Sequence, residues 1–187
     1  MRDTKHLALR EATDLLQSVG FGGFSFQHLA DRLGIKKPSL YEHFESKEAL
    51  GQALVEEYHR SFAAWTETIS VFPPREQVGA LFELVFGYSC DDRKVCPLLA
   101  LVGGYNALPE SMKKLVGRLF DFQRAWLEGI LAQGQKAGEI RSDMPPSQLA
   151  ELVHATALGA QPMARAAEDP NYIRRLKARV LGLLDAP

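Results

Sequence analysis

The stretch from Ser25 to Lys47, SFQHLADRLGIKKPSLYEHFESK, leaves the chain little conformational choice. Leu29, Ala30 and Leu33 recur at helical spacing, Ser25 stands where an N-cap oxygen would accept a backbone N–H, and Gly34 follows where a left-handed residue ends a helix. Ile35 returns an apolar side chain to the core. Lys36 and Lys37 open a second helix with Pro38 in its first turn, where a missing N–H costs little. Leu40, Tyr41 and Phe44 continue at helical spacing. Ser46 caps a third helix beginning at Lys47. Two helices joined by so tight a turn constitute a helix-turn-helix.

One local rule is broken within it. A helix N-terminus carries partial positive charge and favours acids, yet Lys36 and Lys37 crowd one N-terminus and Lys47 opens the next. Such conflicts collect at functional sites. A bound anion resolves this one, because exposed N–H groups and ammonium groups both favour it, and a nucleic-acid phosphate backbone is the obvious candidate.

The segment FGGFSFQHLADRLGIKKPSLYEHFESKEAL also resembles the DNA-binding domain of the TetR family of transcriptional regulators. The likeness is carried by Gly20-Phe21, Ser25, Leu29-Ala30, Gly34-Ile35, Leu40-Tyr41, His43-Phe44 and Ser46-Lys47-Glu48. It implies a recognition helix from Lys37 to Phe44. Lys37, Pro38, Ser39, Tyr41 and His43 then face the major groove or its phosphates, Tyr41 and Lys47 meet phosphate, and Gln27 reaches a base. His43 and Lys37 are suited to donate to guanine, and Glu42 to accept from cytosine or to point away. Phe26 stands where the family commonly has a small polar phosphate ligand, so that contact is not carried over.

Charge gives this reading no general support. The chain of 187 residues has a formal net charge of −1, and through residue 60 eight basic residues face nine acidic ones. A DNA-binding domain is usually basic overall; here binding has to rest on placement, with modest non-specific affinity. Cys90 and Cys96 form no disulfide framework and suit a reducing cytosol. No signal peptide, membrane span or metal motif is evident, and neither Cys96 nor His154 lies in a nucleophile signature. The expectation is a cytoplasmic protein with no cofactor, no metal and no catalysis.

Periodicity predicts an all-α fold. Helix 1 runs from Thr4 to Val19 with Ala8, Ala12, Leu15, Leu16 and Val19 inward, and Phe21, Phe24 and Phe26 pack in the small core. A long helix from Lys47 to Ile69 carries Leu50, Leu54, Tyr58, Phe62 and Trp65 and links two domains, residues 1–48 and 49–187. Beyond Pro73-Pro74 come helices over 75–89, 97–106, 109–137 and 147–168, and a last one from Pro170. The 97–106 helix, almost wholly apolar, should be buried. The 109–137 helix should turn Leu115, Leu119, Phe122, Trp126 and Ile130 inward. The 147–168 helix is rich in Ala150, Ala155, Ala157, Gly159, Ala160 and Ala164, and the last has Ile173, Leu176, Val180, Leu183 and Leu184 on one face.

The resemblance implies that these last two helices form a homodimer interface and that the C-terminal domain binds a small molecule. Cys96, Tyr105, Asn106, Trp126, His154 and Gln161 are the pocket candidates, although each taken singly reads first as an ordinary core residue. Pro97 makes Cys96 an N-cap with Arg93 and Lys94 upstream, a setting that favours thiolate; Cys90, beside Asp91 and Asp92, lacks it. A Cys-Pro-Leu-Leu start resembles a subgroup of TetR-like regulators, some of which sense electrophiles or oxidants through that cysteine. The function expected is a homodimeric repressor released from operator DNA by a small-molecule inducer or by cysteine modification. The alternatives are an activator, a repressor without a ligand, and a helical enzyme or protein-interaction module with a relict DNA-binding domain.

Overall fold

The computed structural model describes residues 4–89, 94–169 and 171–185. Cys90, residues 91–93 and Pro170, on which some of these expectations fall, lie outside the described residues. Regular structure within them is helical apart from one isolated bridge between Ile140 and Asp185. The helices are α1 (Thr4–Val19), α2 (Phe26–Leu33), α3 (Lys37–Tyr41), α4 (Lys47–Ile69), α5 (Pro74–Ser89), α6 (Pro97–Gly103), α7 (Glu110–Lys136), α8 (Pro146–Ala166) and α9 (Tyr172–Leu184), with short 3-10 turns at Phe21–Gly23 and Tyr105–Ala107. Among the described residues no helix is long and apolar enough to cross a membrane.

The chain divides into two compact units that interleave in sequence. The first takes residues up to 62 and from 93 to 119, the second residues 63–92 and from 120 onward. α4 and α7 each contribute to both. This division follows packing, whereas the expected boundary at 48/49 follows the end of the helix-turn-helix motif in the sequence.

In the first unit Ala8, Ala12 and Leu16 of α1 are buried with Phe24, Phe26, Leu29, Ala30, Leu40, Phe44, Leu50 and Leu54. Val19, the last residue of α1, is exposed, and Phe21 is half-buried. The segment before α6 is tied to α1 by reciprocal bonds. Val95 N donates to Gln17 O at 3.2 Å and Gln17 Nε2 donates to Val95 O at 3.0 Å. Beside them Asp14 receives Lys94 and Arg32, each at 2.6 Å. Burial would raise the Asp14 pKa, but the two cations outweigh it and hold the carboxyl below its ordinary value. The expected helix over 97–106 stops at Gly103, and residues 102–107 are exposed rather than buried. Gly103-Gly104 makes continuation costly, and the chain turns through a 3-10 segment instead.

In the second unit α5, α8 and α9 pack on one another around Val78, Phe82, Val85, Leu149, Val153, Ala157, Ile173, Val180 and Leu184. Leu183 is exposed, immediately before the buried Leu184. α8 ends at Ala166, short of Glu168, and its chain reversal is closed by Asp169 N donating to Ala164 O at 3.1 Å. The inward face of α7 also differs from the expected one. Met112, Val116, Leu119, Gln123, Leu127, Ile130 and Leu131 are buried, while Leu115, Phe122 and Trp126 are half-buried. α7 has apolar residues on two adjacent faces, and the aromatic one is only partly covered, Trp126 meeting Trp65 edge-on at 5.6 Å.

The end of α7 depends on two glycines. Gly138 takes φ 74°, a left-handed conformation that costs other residues strain. Gly134 lies under Ile140, whose backbone N–H donates to Gly134 O at 3.2 Å. A Cβ on Gly134 would come within 2.5 Å of Ile140 Cδ1 and 3.1 Å of Pro74 Cβ. Gly134→Ala should therefore destabilise by about 1–3 kcal/mol through overpacking, lowering the urea midpoint, despite alanine's better helix propensity. A raised midpoint would show that Ile140 yields without cost.

Candidate functional site

The helix-turn-helix is assembled by its caps. Ser25 Oγ accepts from His28 N at 3.2 Å and starts α2; Gly34, at φ 66°, ends it. Ile35 N donates back to Ala30 O at 3.1 Å, a bond that turns the chain toward α3. α3 is shorter than expected. It ends at Tyr41, and the N–H groups of His43 and Phe44 both reach Leu40 O. Phe44 must turn back into the core, which unwinds the helix early, and His43 lies beyond its end. A five-residue helix has a weak dipole, so the electrostatic conflict at Lys36 and Lys37 is smaller than the sequence suggests.

The candidates for DNA contact line up by exposure. Gln27, Lys36, Lys37 and Pro38 are exposed, Ser39, His43 and Lys47 half-buried, while Leu29, Ala30, Leu40 and Phe44 are buried. Tyr41 is 50% exposed, yet its ring rests on Phe26 with centroids 5.0 Å apart. Phe26, the residue that departs from the expected pattern, is the platform for this tyrosine. Gln27 Nε2 donates to Asp31 Oδ1 at 2.7 Å, so reaching a base requires this bond to open.

Lys47 stands at the start of α4, whose cap is Ser46 Oγ accepting from Ala49 N at 3.0 Å. Its Nζ lies 4.6 Å from the centroid of Phe21 and 4.9 Å from that of Phe24. Burial lowers its pKa. The adjacent Glu48 accepts a hydrogen bond from Ser111 Oγ.

The pocket candidates are spread over both units. In the first, Tyr105 and Asn106 are exposed on the turn after α6. Cys96 is the N-cap of α6, as expected; its Sγ accepts from Leu99 N at 3.3 Å and the residue is 2% exposed. Lys94 is committed to Asp14. In the second unit, Trp126 is half-buried and Gln161 buried. His154 is 4% exposed, with Nε2 2.9 Å from Gln123 Oε1 and its ring tilted over Phe120 at 5.3 Å. With the amide oxygen facing it, Nε2 carries the proton and donates. Burial lowers the His154 pKa to about 4, so the ring is neutral near pH 7.

Three residues escaped the sequence reading. Gln123 occupies an apolar stripe and is visible only through its partner on α8. Phe21 reads as core, and its ring contact with Lys47 joins residues twenty-six positions apart. Gly51 is a small residue in the middle of a helix; a Cβ there would meet Met112 Sδ at 2.5 Å and Phe21 Cε2 at 2.7 Å. A glycine inside an otherwise regular helical pattern was the available signal of close approach.

Residues 8–54 match the family described as bacterial regulatory proteins, tetR family. Residues 74–180 match the family described as tetracyclin repressor-like, C-terminal domain. The HTH-type transcriptional repressor DhaR of Mycobacterium sp. (strain GP1) is 27% identical over 167 residues, covering 83% of this chain and 79% of that protein. The tetracycline repressor protein class A from transposon 1721 of Escherichia coli is 50% identical over 48 residues, covering 26% of this chain and 22% of that protein. Among solved structures, a TetR family transcriptional regulator from Agrobacterium tumefaciens is similar at a TM-score of 0.91 and 25% identity, over 97% of each chain.

The neutral state of His154 has a consequence for acid stability. The unfolded imidazole takes up a proton near pH 6.5 and the folded one near 4. Between these values the unfolded state binds more protons, so stability falls with acid across that window and levels off below it, by about 3 kcal/mol at most. Urea unfolding at a series of pH values should show this slope, and His154→Asn should flatten it. Equal slopes in the two proteins would mean that His154 takes up its proton at the same pH in the folded and the unfolded chain.

Proposed function

The chain belongs to the TetR family and is a DNA-binding transcriptional regulator; from that premise we propose that it acts as a cytoplasmic homodimeric repressor, released from its operator by a small molecule. DNA contact is assigned to residues 1–48, and ligand and dimer contacts to 49–187. The observation that carries the reading is the division of faces in the helix-turn-helix. Leu29, Ala30, Leu40 and Phe44 are buried, whereas Lys37 and Tyr41 are exposed and Tyr41 is braced from behind by Phe26. Residues kept only by a relict domain would not need an exposed tyrosine held in place.

In this reading Tyr41 and Lys47 meet phosphates, Lys36 adds charge, and Lys37, Pro38, Ser39, His43 and Gln27 face the major groove or its edge. Contacts to phosphate fix register, and contacts to base edges confer specificity. Release by a reversibly bound small molecule is favoured over cysteine modification by the burial of Cys96 and by the pairing of Lys94 with Asp14, which leaves less positive charge for a thiolate. Trp126, His154 and Gln161 remain candidates for ligand contact. Tyr105 and Asn106, being exposed, are weaker ones.

The dimer reading now rests on only part of the sequence stripes, Ala155 and Leu183, joined by Leu152 and Met163. Ala150, Ala157 and Ala160 of α8 and Ile173, Val180 and Leu184 of α9 are buried within one chain. What remains outward is Leu152, Ala155 and Met163 on α8, at helical spacing, and Leu183 on α9; Leu152 is 57% and Leu183 63% exposed. A second copy is the occupant this surface suits, because a helix-turn-helix needs two half-sites for useful specificity.

Two experiments test these assignments. In band shifts with the promoter region beside its own gene, Tyr41→Ala and Lys47→Ala should weaken binding to all sequences alike. Lys47→Ala should lower the salt slope by about one unit, and Lys37→Ala should relax preference at one base pair. If the wild-type protein shows no preference for any genomic duplex, the repressor reading fails. In sedimentation, Leu152→Glu combined with Leu183→Glu should yield a folded monomer, since both side chains are solvent-facing in the single chain. Leu176→Glu tests this less cleanly, because Leu176 is half-buried. A double variant that still dimerises would move the interface elsewhere.

A further inference from the structure

The rings of Phe21 and Phe24 share one neighbour, the Lys47 ammonium. Its Nζ is 4.6 Å and 4.9 Å from the two centroids, within the range where a ring face attracts a cation. The rings meet edge-on, 6.0 Å apart at 88°, so they present two walls rather than one. Phe24 is fixed by burial. Phe21, half-buried, is held by a different device: it packs beside Met112 over Gly51, where no Cβ blocks it. Any larger residue at position 51 would push this ring away.

Lys47 has little else to hold it. It is the first residue of a 23-residue helix, where the dipole repels a cation, and its carboxylate neighbour Glu48 is engaged by Ser111. A flexible four-carbon side chain in that position would be expected to wander, and ordering it on binding would cost side-chain entropy. We propose that Phe21 is a positioning residue for DNA binding: with Phe24 it forms an aromatic seat, made possible by Gly51, that holds the Lys47 ammonium at the head of α4 ready for a backbone phosphate. The proposal rests on the assignment of Lys47 to phosphate made above. A phosphate at the open side of the ammonium leaves both rings in place, so the seat acts in the bound state as well as the free one.

The test varies the electronic character of the ring while keeping its shape. Phe21 is replaced in the full-length protein by mono-, di- and trifluorophenylalanine, each added fluorine weakening the negative ring face. Binding is measured with a random-sequence duplex at low salt, because a phosphate contact does not depend on sequence. Affinity should fall stepwise with fluorination, by about two- to five-fold across the series, while thermal unfolding stays near that of wild type. In a Lys47→Gln background the same series should be flat. Phe21→Trp, which keeps a strong ring face, should bind better than Phe21→Leu relative to their own Lys47→Gln partners.

Affinity that is unchanged or rises with fluorination in the Lys47 protein overturns the proposal; a rise would mean that the rings compete with phosphate for the ammonium. If Lys47→Gln itself binds the duplex with wild-type affinity and salt dependence, the phosphate assignment of Lys47 fails, and the seat loses its function with it. The two failures are thus read from different proteins.

Discussion

The left-handed turn at Gly34 governs what the N-terminal part can present. At φ 66° it ends α2 and lets Ile35 N bond back to Ala30 O, which carries the chain across to α3. An L-residue with a Cβ would be strained there. α3 has five residues and cannot be stable alone, since helix nucleation is costly and short helices are marginal in water. Its conformation is imposed from outside: Leu40 and Phe44 are buried, Leu40 O accepts two N–H groups, and the turn delivers the segment to that place. Lys37 and Tyr41, one helical turn apart, flank the buried Leu40 and stay exposed, because so short a helix covers little beyond the side chain it buries.

Net charge is a poor guide to this surface. Acids and bases nearly cancel through residue 60, yet several of the acids are occupied. Asp14 takes Arg32 and Lys94, Glu11 also meets Arg32, Glu57 meets Arg60, and Glu48 accepts from Ser111. Lys36 and Lys37 remain exposed at the turn. Exposed charges more than about 10 Å apart are largely screened at moderate salt, so a phosphate at α3 senses the nearby lysines more than the regional sum.

The elements legible in the sequence are those whose ends carry their own chemistry. α1 and α4 have the expected bounds because Gly20, Ser46 and the Phe72-Pro73-Pro74 run mark them locally. α3 and α6 fell short because their ends are set by tertiary demand: Phe44 must reach the core, and Gly103-Gly104 turns a locally apolar run outward. α7 carries two apolar faces; Leu119 and Ile130 are buried as expected, but aromatic bulk drew Phe122 and Trp126 into the expected face, and the buried face includes Gln123, which no hydrophobic pattern would choose. The DNA-contact candidates were legible as a motif. The groups that brace them, Phe26 beneath Tyr41 and Phe21 beside Lys47, were legible only as core. A ring's service to a polar neighbour depends on which side of it that neighbour lies, and spacing carries no such information.

Lys47 and His154 illustrate one rule with opposite outcomes. Both are basic groups drawn out of water, and burial lowers both pKa values. Lys47 begins nearly four pH units higher, is only half-buried and has two ring faces that favour its charged form, so burial does not take its charge away. His154 begins near neutrality and is almost fully enclosed, so it gives up its proton and becomes one half of a neutral hydrogen bond with Gln123. A charge at that depth would cost several kcal/mol without a partner of opposite sign, whereas a neutral pair costs little once each group is satisfied. The protein thus keeps charge where the solvent, a ring or a bound anion can offset its desolvation, and converts polarity to neutral pairing where none of these reaches.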